Sequence, residues 1–99
     1  MQIHNLADIT GDGNTHTVIG VPTNARWVQI IAYSVASAAR PIRVGGSQVT
    51  ATLGLPLFQA GASQFFPVDG GDRYNQYDLL DNINYNAASG DVLSVAYAI

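Results

Sequence analysis

The chain contains neither glutamate nor lysine, and a single methionine. Those residues normally cover the solvent face of a helix, because their unbranched side chains lose little rotamer freedom there. Without them the sequence predicts β-structure. Valine, isoleucine, threonine and aromatic residues recur in short runs broken by glycine, proline, asparagine and aspartate, the punctuation of short strands joined by turns.

A length of 99 residues admits one domain. A chain of this size buries about 60–65% of the surface its unfolded form exposes, which leaves an isolated monomer marginal. There is no cysteine for disulfides, and His4 and His16 alone offer ring nitrogens, so neither a crosslink nor a zinc site of the usual kind is expected. No other cofactor is expected. Association with further protein copies is the remaining common source of stability.

The net charge of −3 and pI near 4.8 argue against a nucleic-acid binder, which must neutralise many phosphates. The longest apolar stretch, Val28 to Ala39, is interrupted by Gln29, Tyr33, Ser34 and Ser37 and falls short of a membrane span. Met1 to Asn5 shows no basic region leading into an apolar one, so a soluble chain that is not exported by a signal peptide is expected.

Alternation at period two marks about eight strands. Thr15 to Val21 follows a turn at Asp12-Gly13-Asn14. Arg26 to Tyr33 carries apolar residues on both faces, which predicts a strand covered on two sides. Ile42 to Val44 and Val49 to Leu53 read as a hairpin around Gly45-Gly46-Ser47, since primed turns need positive φ. Ser34 to Arg40 reads as a loop ahead of Pro41, and Gly54-Leu55-Pro56-Leu57 reads as a break. Ser63 to Pro67 is a strand whose Phe65 and Phe66 face opposite ways. Tyr74 to Leu80, Asn82 to Ala87 and Asp91 to Ile99 complete the set. In the last, Leu93, Val95, Tyr97 and Ile99 oppose Val92, Ser94, Ala96 and Ala98, and that second face is small enough for close packing. The expectation is an all-β, two-sheet antiparallel sandwich over 15–99, jelly-roll-like by strand number, with an immunoglobulin-like sandwich as the competitor. Residues 1–14 form an arm and turn, whose Ile3 and Leu6 are expected to anchor it across a neighbouring subunit.

Several groupings suggest chemistry. Asp8, Asp12 and Asn14 with Gly11 and Gly13 have calcium-type oxygens, but the spacing is not an EF-hand's and a turn needs the same residues. Asp69 and Asp72 around Gly70-Gly71 read as a solvated turn rather than an acid–base pair. His16 with Ser47 or an aspartate lacks any nucleophile elbow, so no catalytic residue is assigned and the chain reads as a non-enzyme. Tyr74, Tyr77 and Asp78 have the residue types of a sugar platform. Arginine beside aromatics is enriched at the energetic centres of protein interfaces, which singles out Arg26 with Trp27, Arg40 and Arg43, together with Phe65 and Phe66.

The runs Arg26-Trp27-Val28-Gln29-Ile30, Arg43-Val44-Gly45, Val49-Thr50-Ala51-Thr52, Gly54-Leu55-Pro56-Leu57 and Phe65-Phe66-Pro67 resemble those of small virion proteins of tailed bacteriophages. Tyr77-Asp78-Leu79 and Ala88 to Val95 are similar too, so the resemblance spans residues 26 to 97. It implies a jelly-roll-like subunit, commonly trimeric, that decorates or cements the capsid by binding itself and the major capsid protein on the virion surface. The alternative is a carbohydrate- or receptor-binding module of a fibre or capsid surface.

Overall fold

The computed structural model describes residues 2–21, 25–67 and 83–99. Among the described residues there is no helix, and nine strands run in chain order: β1 Ile3–Asn5, β2 Ile9–Thr10, β3 Thr15–Thr17, β4 Trp27–Ser34, β5 Ile42–Gly45, β6 Leu55–Leu57, β7 Ser63–Pro67, β8 Asn84–Asn86 and β9 Val92–Ala98. They build two antiparallel sheets. The first has the order β1-β9-β4-β7, with β2 also on β9, and the second has the order β3-β8-β5-β6.

The pairing is nested. Taking β1 and β2 as one interrupted strand, the first strand pairs with the last, β3 with β8, β4 with β7 and β5 with β6. Such a ribbon, folded once along its length and wrapped into two sheets, is a jelly roll. The core lies between the sheets. Val28, Ile30 and Ala32 of β4 and Leu93 and Val95 of β9 meet Ile42 and Val44 of β5, Tyr85 of β8 and Leu57 of β6.

The N-terminal segment is a strand of the chain's own first sheet. Ile3, His4 and Asn5 pair in register with Ala98, Tyr97 and Ala96 of the same chain, and Leu6 packs against its own core. The Gln2 and Ile99 backbones exchange hydrogen bonds of 2.8 and 3.0 Å, which extends the β1–β9 ladder. Thr15 to Val21 is strand only as far as Thr17.

The hairpin of β5 also differs from expectation. Its second arm is Leu55–Leu57, with Pro56 opposite Arg43, rather than Val49 to Leu53. Proline is tolerated there because β6 is an edge strand whose outward N–H has no ladder partner to lose. The intervening residues form a loop closed by Thr50, whose N–H donates to Leu53 O at 2.9 Å and whose hydroxyl accepts from Leu53 N at 3.0 Å. Val49 is buried outside the main core, against Gly45 and Gly54. At Gly54 φ is +129°, a conformation that favours glycine, and an added Cβ would come 3.3 Å from Val49, so that a neighbour would have to give way.

The loop between β4 and β5 is held from beneath by a buried carboxylate. Asp91, 1% exposed, accepts from Ala36 N at 2.9 Å. Asp91→Ala removes this hydrogen bond to the Ala36 N–H and is expected to cost about 1 kcal/mol. Urea unfolding checks it: the midpoint should fall with the slope unchanged, and an unmoved midpoint would show that the loop needs no such anchor.

Candidate functional site

In a two-layer sandwich each sheet has one face left to solvent. Cross-strand registers fix which residues share that face in the first sheet: one row is Ile3, Ala98, Trp27 and Pro67, the next Asn5, Ala96, Gln29 and Phe65, the third Ser94, Ile31 and Ser63. No residue of these rows is ionisable, and the one carboxylate that borders them is Asp8, whose Oδ1 accepts from Ser94 Oγ at 2.8 Å. The expectation that β4 is covered on both sides is therefore corrected. Val28, Ile30 and Ala32 are buried, whereas Trp27 and Ile31 are half-buried and Tyr33 is 66% exposed.

The aromatic residues of this face are organised. Trp27 and Phe65 pack with ring centroids 5.7 Å apart and planes tilted by 42°, a favoured arrangement for aromatic pairs. Phe65 remains 47% exposed and Ile3 64% exposed. Between them the β9 residues Ser94, Ala96 and Ala98 are small, so the larger side chains on β1, β4 and β7 rise around a shallow floor.

Of the described residues singled out from sequence, the fold brings Ile3, Trp27 and Phe65 onto this one face and places Leu6, Phe66, Arg40 and Arg43 elsewhere. Phe66 lies in the core opposite Val28. Arg26 is exposed at the start of β4, its N–H donating to Ala98 O at 2.7 Å. Arg40 and Arg43 serve the chain's own loops. Arg40 Nη2 donates to Gly13 O at 3.2 Å and Asn86 Oδ1 at 3.4 Å, and Arg43 Nη1 donates to Gly54 O at 2.9 Å. Tyr74, Tyr77 and Asp78, and the loop aspartates Asp69 and Asp72, lie outside the described residues.

His16 meets Asp12, not Ser47. Its Nε2 lies 2.8 and 3.0 Å from the two Asp12 oxygens, and its ring packs on Tyr85 with centroids 5.8 Å apart. Asp12 also accepts from Asn14 N at 2.9 Å, the Asx turn that Asp-Gly-Asn predicts. That backbone bond, and then the His16 side chain, hold the Asp12 carboxyl below its ordinary value of 3.8. A carboxyl depressed by folding adds stability above its unfolded pKa, which is lost as pH falls through the lower folded value. The carboxyl is fully exposed, so the energetic effect is small, but the midpoint is measurable. A carbon-13 titration should place Asp12 below 3.8, and a midpoint at or above it would break the turn as drawn.

No family model, curated protein or solved structure matches the chain.

Proposed function

We infer that the chain is a structural assembly subunit, of the kind that decorates or cements a virion shell, and that it docks through the outer face of the β1-β9-β4-β7 sheet onto its own copies and a shell protein. The observation that carries this reading is that face: an aromatic pair, two isoleucines and small residues, with no ionisable side chain in the paired rows. Aromatic residues in a patch depleted of charge are the composition of interface cores. Burying the paired rows against protein desolvates a single charge at their margin, the Asp8 carboxylate, which accepts from Ser94 Oγ at 2.8 Å.

Its size bears on how it works. Four strands about 4.8 Å apart, each contributing about five residues at 3.3–3.4 Å, span roughly 300–400 Å² in plan. A stable interface buries about 800 Å² per partner. A contact of this size is weak between two free molecules, and gains strength when many copies bind one repeating surface or when further surface joins it. The acidic remainder of the molecule keeps free subunits apart.

Sedimentation of the purified protein over a concentration series, with and without undecorated shells, tests the reading. Association is expected to be weak in solution and saturable on shells. Phe65→Asp should weaken both by about 30-fold or more, the loss of a 2 kcal/mol anchor, while monomer stability changes by about 1 kcal/mol or less. A strictly single-copy protein that ignores shells would sink the proposal.

A further inference from the structure

Where the chain passes from β2 in the first sheet to β3 in the second, a cleft of about 730 Å³ opens between the two strands, within the ~300–1,000 Å³ typical of small-molecule sites. We propose that this cleft is a binding site for a neutral saccharide. It adjoins the outer face of the first sheet where Asp8 meets Ser94, and the inference does not rest on the docking reading.

The argument is an inventory of donors and acceptors. Among the described residues no arginine lines the cleft, and Asp8 and Asp12 do, so this lining disfavours an anion. Both carboxylates already hold partners: Asp12 takes His16 and the Asn14 N–H, and Asp8 Oδ1 accepts from Ser94 Oγ at 2.8 Å. A cation would have to compete with them. What remains is a mixture of neutral groups. The His16 tautomer that donates from Nε2 to Asp12 leaves Nδ1 as an acceptor. Thr17 Oγ donates to Asn84 Oδ1 at 3.0 Å, so toward a ligand it accepts. Thr10 offers a hydroxyl, and the Tyr85 phenol is a donor, its ionisation opposed by burial and by the charge of Asp12.

A sugar hydroxyl both donates and accepts, which suits such a mixture better than any purely donating or accepting ligand does. The rest of the lining is aliphatic: Leu6, Ala7 and Ile9 contribute to it, and Ile19 is 74% exposed. A pyranose ring presents C–H faces to walls of this kind and hydroxyl edges to the polar side.

The test is a nuclear magnetic resonance titration of the intact chain with the methyl pyranosides of glucose, galactose, mannose and N-acetylglucosamine. Taken to about 50 mM, it populates a site of millimolar affinity. At least one glycoside is expected to shift the His16, Ile19 and Tyr85 resonances saturably. Tyr85→Phe, which keeps the ring and removes only the hydroxyl, and His16→Phe should each weaken binding about 3- to 10-fold, the range of one lost hydrogen bond. Phe65→Asp should leave it unchanged, so failure here and failure of the docking reading are separable. The proposal is overturned if no glycoside gives a saturable shift, if both cleft variants bind as the parent does, or if methylammonium saturates these resonances and no glycoside does.

Discussion

Gly11→Ala is expected to lower the melting temperature by about 12 °C or more, the equivalent of roughly 3 kcal/mol in a domain of this size. Gly11 sits at the crossing between the two sheets, where its N–H donates to Asp91 O at 2.7 Å and its carbonyl accepts from Gly90 N at 3.3 Å. An added Cβ would lie 2.4 Å from Ala88 O and 2.6 Å from both the Ala87 carbonyl oxygen and its Cβ. Two of those atoms belong to backbone, which has no rotamer by which to withdraw. Overpacking usually costs about 1–3 kcal/mol, and a clash of this closeness belongs at or above the upper end. Scanning calorimetry decides it. A shift within about 4 °C, near 1 kcal/mol, would mean that the turn relaxes freely and is not the rigid corner described.

Ile30→Ala is the second large effect. Ile30 is fully buried between the sheets, and removing a core isoleucine side chain costs about 2–5 kcal/mol through lost transfer energy and the cavity left behind. Its neighbour Ile31 faces the other way, in the row with Ser94 and Ser63. Ile31→Ala should therefore cost about 1 kcal/mol or less in the free monomer and show its larger effect on association. Denaturant melts of the two variants read the register of β4 directly. Equal losses would show that the two faces are not distinct in the free chain.

These two sites separate stability from docking. Gly11 and Ile30 hold the ribbon in its wrapped form, and nothing in their surroundings needs a second molecule. Trp27, Ile31 and Phe65 lie on the outer side of the first sheet, away from the core, so a partner that covered them would not compete with folding.

Much of the fold was legible because a strand's alternation is a local property, set by a pleat that repeats every two residues. The absence of glutamate and lysine indicated β-structure. The bounds of Ser63–Pro67 were readable outright, those of β4 and β9 to within a residue or so, and Phe65 and Phe66 pointed to opposite faces as their adjacency demands. What alternation cannot state is which strand lies beside which, because pairing joins residues remote in sequence and depends on where an unpaired edge remains. Ile3–Asn5 finds its partner at Ala96–Ala98, and only that closure turns an expected arm into a sheet strand. Pro56 reads locally as a break, and becomes a strand residue because the position it takes is an edge. Arg40 and Arg43 read as interface anchors until the folded chain supplies Gly13, Asn86 and Gly54 as their acceptors. For the same reason, residue types alone did not disclose the β2–β3 cleft or the charge-poor outer face: both are made by bringing distant segments side by side, and local sequence carries no record of that neighbourhood.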